Sequence, residues 1–172
     1  MDALGSYDSF IVSDLGRRAT GARVEQHQAM QTPAMDVKQL EAFLSREFSQ
    51  VFHPKSGLTI ERAGHGSARV RQAFDSQFIR PGGTISGPTM MALADFAMYA
   101  AVLATIGPVA LAVTTNLNIN FLRKPAGRDL VADCRLLKVG KTLAIGEVSI
   151  RSEGMDEPVA HVTSTYSIPP KR

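Results

Sequence analysis

Residues 90 to 113 read MMALADFAMYAAVLATIGPVALAV, an almost unbroken apolar stretch long enough to cross a bilayer. Two features inside it argue against a span. Asp95 would cost roughly 2.5–3.5 kcal/mol near the centre of a membrane helix. Gly107-Pro108 then divides the stretch into two elements, and no basic cluster flanks either end. The pattern predicts a buried helix ending at Ile106 and a strand after it, in a soluble protein with no membrane partner. Pro88 suits the first helical position, with its fixed φ and unneeded N–H. A helix that is apolar on every side has to be covered on every side.

Upstream, Asp36 can cap a helix in which Leu40, Phe43, Leu44, Phe48 and Phe52 recur at helical spacing, ended by His53-Pro54. Residues 57–63 and 67–74 read as strands joined at Gly64-His65-Gly66, and 75–87 as a loop. Downstream, Leu111, Val113, Thr115, Leu117, Ile119 and Phe121 alternate with Ala112, Thr114, Asn116, Asn118 and Asn120, a strand with one polar face. Residues 129–139, 142–151 and 159–168 follow as strands with short connections, which imply an antiparallel meander. The order is α-β-β-α-β-β-β-β, an α+β architecture of one central apolar helix against a long antiparallel sheet, with an N-terminal helix. One small sheet covers only part of such a helix, so a dimer or larger assembly is expected.

Residues 1–34 lack sustained periodicity and are rich in Gly, Ser, Asp, Gln and Arg; they read as a flexible tail ahead of a domain over 35–172. Met35 is as good a start as Met1. A single cysteine excludes a disulfide framework and fits a reducing, cytoplasmic setting. The net charge of +3 is scattered, and the chain has no tryptophan and 6% aromatic residues, so a nucleic-acid surface is not expected. The four histidines lack metal-ligand spacing, so neither a metal nor another cofactor is expected.

Among catalytic patterns, Gly140-Lys141-Thr142 lacks the upstream glycine of a phosphate-binding loop, and Ser86 lacks the G-x-S-x-G spacing of a nucleophile elbow. Cys134 alternates with core positions and reads as core. Asp95 stands apart, because aspartate is rarely buried without a partner and no cation lies near it in sequence. A general base or nucleophile in an apolar pocket is the functional reading, and a buried hydrogen-bonded group the structural one. Gly87, ahead of the helix, offers N–H groups at its positive end, where an oxyanion is stabilised; taken alone it is a plain capping glycine.

The run Gly83-Thr84-Ile85-Ser86-Gly87-Pro88 leading into Leu93-Ala94-Asp95 resembles the G-x-x-H-G-G and L-A-D segments of the hot-dog superfamily, specifically the PaaI-like acyl-CoA thioesterases. Asn118-Ile119-Asn120-Phe121-Leu122-Arg123 and the later Gly-Lys-Thr turn resemble two further family segments. The resemblance covers about Met35 to Ile168. It implies a hot-dog fold and hydrolysis of acyl-CoA thioesters, with a non-catalytic acyl-CoA-binding protein as the alternative. A hot-dog dehydratase is disfavoured, since no histidine lies in 76–106.

By the same resemblance, Asp95 is the helix carboxylate that activates water or attacks the thioester, and Gly87 supplies the N–H that polarises its carbonyl. Thr114 is the hydroxyl on the facing strand. The site is built between subunits of a homodimer, or a homotetramer, and Arg123, Lys138 and Lys141 are candidates for the CoA phosphates. Ser86, Arg80 and Pro88 replace the family histidine, asparagine and glycine; with Met91 they are expected to touch substrate.

Overall fold

The structure is a computed structural model in which residues 32–170 are described. The expected tail falls outside the described residues except at its end, where the Ala34 amide donates to the Ala104 carbonyl at 2.7 Å and Met35 is buried.

Asp36 caps helix α1 (Val37–Glu47). Its carboxylate accepts from the Gln39 amide, and the Gln39 side chain accepts from the Asp36 amide, each at 2.9 Å. This reciprocal pair satisfies two donors that a helix start otherwise leaves open. Leu40, Phe43 and Leu44 form the buried stripe. The helix stops at Glu47, earlier than His53-Pro54, because Phe48 leaves helical backbone at φ −135°. The turns that follow set Phe48 edge-on to Tyr99 at 6.0 Å and stack Phe52 on Phe96 at 5.7 Å. Such ring pairs add about 0.5–1.5 kcal/mol each beyond burial, and they fix where the chain turns.

Strands β1 (Leu58–Gly64) and β2 (Ser67–Gln72) form the expected hairpin. The segment expected to be a loop holds a short 3-10 turn at Ser76–Phe78 and a two-residue hairpin, β3 (Ile79–Arg80) with β4 (Thr84–Ile85). Helix α2 (Gly87–Ile106) follows, then β5 (Val113–Phe121), β6 (Leu130–Val139), β7 (Leu143–Ser152) and β8 (Ala160–Ser167).

The main sheet is antiparallel in the order β1-β2-β6-β7-β8-β5. Only β6, β7 and β8 form a meander. The expectation that β5 pairs with β6 is corrected: β5 lies at the sheet edge beside β8. Three strand spacings separate β5 from β6, about 14 Å at 4.7–4.9 Å each. The connecting residues 122–129 can span about 26 Å when extended. A short connection therefore need not be a hairpin.

Helix α2 crosses one face of this sheet with Leu93, Met98 and Leu103 almost fully buried, each contributing about 1.5–3 kcal/mol relative to exposure. Its length and composition would suit a membrane, but 67% of its most apolar window is buried inside this fold. The cover is incomplete at the N-terminal end, where Met91 is 40% exposed and Ala92 is open. One chain therefore covers this helix only in part.

Candidate active site

Asp95 sits in the third turn of α2, half-buried. Its partners are two hydroxyls from strands remote in sequence. Thr114 of β5 donates to Asp95 Oδ1; Tyr166 of β8 donates to the same oxygen at 2.8 Å and lies 3.0 Å from the Asp95 main-chain oxygen. Hydroxyls rather than a cation thus satisfy this carboxylate. Burial, and then the charge of Asp95, push the Tyr166 phenol well above its ordinary range. The phenol therefore stays a donor across the working pH range.

A local irregularity lets Thr114 reach the helix. Thr114 pairs with Tyr166 and Asn116 with Thr165, so Thr115 is an extra residue in β5. Strict alternation would put Thr114 on the face opposite Leu117 and Ile119, which pack against the core. The bulge at Thr115 reverses the phase, so the buried Ala112 and then Thr114 face α2 on one side of it, and Leu117 and Ile119 on the other.

Asp95, Thr114 and Tyr166 line a cavity of about 500 Å³. Phe48, Val51, Phe96, Tyr99, Ala112 and Val113 make its walls apolar, and Glu47 adds one carboxylate.

The N-terminal end of α2 forms a second cleft, of about 400 Å³, lined by Arg80, Thr84, Gly87, Met90, Phe121, Arg123 and Lys124. Ser86 is the cap, its hydroxyl accepting from the Thr89 amide at 3.4 Å, so Gly87 is the first helical residue and Pro88 the second. This corrects the expected order of cap and proline. A Cβ on Gly87 would stand 3.0 Å from the Phe121 ring, so glycine lets that ring lie against the helix start. Arg123 is tied to Glu157 at 2.7 Å and to the Pro158 carbonyl at 2.9 Å. Arg80 and Lys124 are exposed.

The structure thus brings Asp95 together with Thr114, and Gly87 together with Arg80 and Arg123, Ser86 and Pro88 flanking that glycine. Met91 lines neither space. Lys138 is exposed on β6, and Lys141 lines a third cavity of about 900 Å³ with Ile106, Pro108 and Pro169. The two main groups share no lining residue. Gly87 and Asp95 are eight residues apart on one helix, about 12 Å along its axis.

Sequence reasoning missed Tyr166 and Lys124. Tyr166 carried a signal, because it alternates with Val162 and Ser164 on a strand whose inward residues are buried, and a buried phenol usually finds a partner. Lys124 follows Arg123 directly and carried none. Burial pushes the Cys134 thiol up, which leaves it a core residue. His161 lies 3.4 Å from Glu147, whose carboxyl is held low first by its hydrogen bond to Arg135. Among the described residues no three His, Cys, Asp or Glu side chains converge as a metal site.

The thioesterase superfamily matches residues 82–159. A Silicibacter sp. TM1040 protein assigned as a thioesterase is 47% identical over 83% of this chain and 97% of its own, with a TM-score of 0.73. The phenylacetic acid degradation protein PaaI of Thermus thermophilus, in a mutant form, is 25% identical over 66% of this chain and 94% of its own, with a TM-score of 0.59. A Halobacterium salinarum protein assigned as an esterase is 34% identical over 55% of this chain; the chain spans 65% of that relative's length. These matches support thioester hydrolysis as the general chemistry. With its long antiparallel sheet around one central helix, the chain belongs to the thioesterase superfamily as a PaaI-like hot-dog protein.

Proposed function

We propose that the protein hydrolyses acyl-CoA thioesters to the free acid and CoA, in a site completed by two copies of the chain. The observation that carries this reading is a carboxylate, Asp95, held by two hydroxyls on the wall of an apolar cavity. The acyl group occupies that cavity. Asp95 takes a proton from water while the water oxygen bonds to the thioester carbon, or its own oxygen forms that bond first. The carbonyl oxygen gains negative charge facing the Gly87 N–H, where the helix end stabilises it. The C–S bond then breaks, and the sulfur leaves as thiolate and takes up a proton. In the nucleophile route, water then cleaves the anhydride formed with Asp95.

One carbonyl cannot touch both Gly87 and Asp95 of the same helix across about 12 Å. The partner copy therefore supplies one of them. Strand β5 supports this, because among the described residues it is paired only with β8 and leaves Val113 55% and Phe121 51% exposed. Arg80, Arg123 and Lys124 surround the Gly87 cleft and suit the CoA phosphates. Lys138 and Lys141 lie outside that cleft and have no place in this reading.

The test is thiol release across a panel of acyl-CoAs, with Asp95→Asn beside the wild type. Turnover should fall at least about 10²-fold in the variant, the lower end for losing a positioned acid–base group. Its unfolding free energy should change by less than about 1 kcal/mol, since the amide oxygen still accepts from both hydroxyls. A wild type that binds acyl-CoA without releasing thiol would establish the non-catalytic reading, which the replacement of the family histidine by Ser86 favours.

A further inference from the structure

We infer that Tyr166 is a positioning residue for Asp95: together with Thr114 it holds Oδ1, and so presents Oδ2 as the oxygen that meets water or thioester. The inference rests on the reading of Asp95 as the catalytic carboxylate. Both hydroxyls converge on Oδ1, and among the described residues no hydrogen bond to Oδ2 is found. Because the Tyr166 oxygen is also 3.0 Å from the main-chain oxygen of Asp95, one phenol is registered against two atoms of one residue. A side chain tied at its tip and referenced to its own backbone has little freedom about χ1.

The phenol is itself fixed. Tyr166 is 3% exposed and stacks on Tyr99 with ring centres 6.1 Å apart, and the Tyr99 hydroxyl donates to the Ala110 carbonyl at 3.2 Å. Thr114, by contrast, is exposed on the edge strand, one residue before the bulge. Of the two donors, the buried tyrosine is the rigid reference and the threonine the adjustable one.

Tyr166→Phe removes the hydroxyl and keeps the stacked ring. The expected result is a kcat lower by about tenfold or more, as for a lost hydrogen bond to a charged group, with KM within about twofold. A crystal structure of the variant should show the Asp95 carboxylate rotated from its wild-type position. An unchanged kcat with a lowered Tm would overturn the inference, because the hydroxyl would then be only structural. The crystallographic readout also stands without activity. If wild-type protein hydrolyses no acyl-CoA, the catalytic reading fails, yet an Asp95 side chain unmoved in Tyr166→Phe still refutes positioning and a rotated one still supports it. Thr114→Val gives an independent check should the first variant not fold. With Tyr166 intact, Asp95 should keep its rotamer, and a carboxylate that swings away would refute the inference.

Discussion

Gly146 of β7 shows how closely the apolar helix sits on the sheet. A Cβ there would stand 2.6 Å from the Met98 sulfur and 3.0 Å from the Arg135 carbonyl oxygen. The sulfur could yield, but the carbonyl belongs to the sheet and cannot. Gly146→Ala should therefore destabilise by about 1–3 kcal/mol, as overpacking does, measured by denaturant unfolding; shortening Met98 in the same chain should recover only part of it. Nothing in the sequence marks Gly146, since a glycine inside a strand has several explanations. Asp95 was legible for the opposite reason: one charge inside a long apolar stretch is an anomaly that chemistry must explain. Of its partners, Thr114 was reached only through the family resemblance and Tyr166 not at all, because they lie 19 and 71 residues away and only strand pairing brings them to one oxygen.

Strand β5 was read correctly as a strand and incorrectly in its neighbour and its phase. Periodicity reports which residues share a face, and a single extra residue reverses that report midway. Here the apolar alternation through Leu117, Ile119 and Phe121 describes only the half after the bulge. What matters at Thr115 is the count of residues rather than the side chain, whose hydroxyl merely caps the Thr165 carbonyl at 3.1 Å. Thr115→Ala should accordingly keep hydrolysis within about twofold. Deleting residue 115 restores strict alternation, which turns either Thr114 or Leu117 to the wrong face. Turnover should then fall at least about 10²-fold. Equal activity in the two variants, measured by thiol release, would show that the bulge does not set the site. The central helix and β6 to β8 were legible because their burial repeats without interruption; the small β3–β4 hairpin was not, being two residues a side.

For the whole molecule, the separation of the Gly87 cleft from the Asp95 cavity leads to a complementation experiment. Gly87→Pro removes the polarising N–H, and Ser86 already has the extended backbone that precedes a proline, at φ −71° and ψ 150°. Alone, Gly87→Pro and Asp95→Asn should each be nearly inactive. Combined as subunits in equal amounts, they should recover about a quarter of wild-type turnover, because half the dimers then hold one intact site of two. No recovery from well-folded mixed dimers would place the site within one chain. The sheet order also governs how the chain reaches this state. Strand β5 pairs with β8, about fifty residues later, and β2 finds its second neighbour in β6 some sixty residues on. Pairings this distant slow folding, because long loops must close before any contact rewards them. The chain therefore completes its apolar helix before β6 and β7, which supply much of its cover beside β1 and β2, and until they dock a nascent molecule displays part of that helix to its surroundings. The same topology that assembles the carboxylate and its two hydroxyls last makes an unfinished chain a natural client for chaperones.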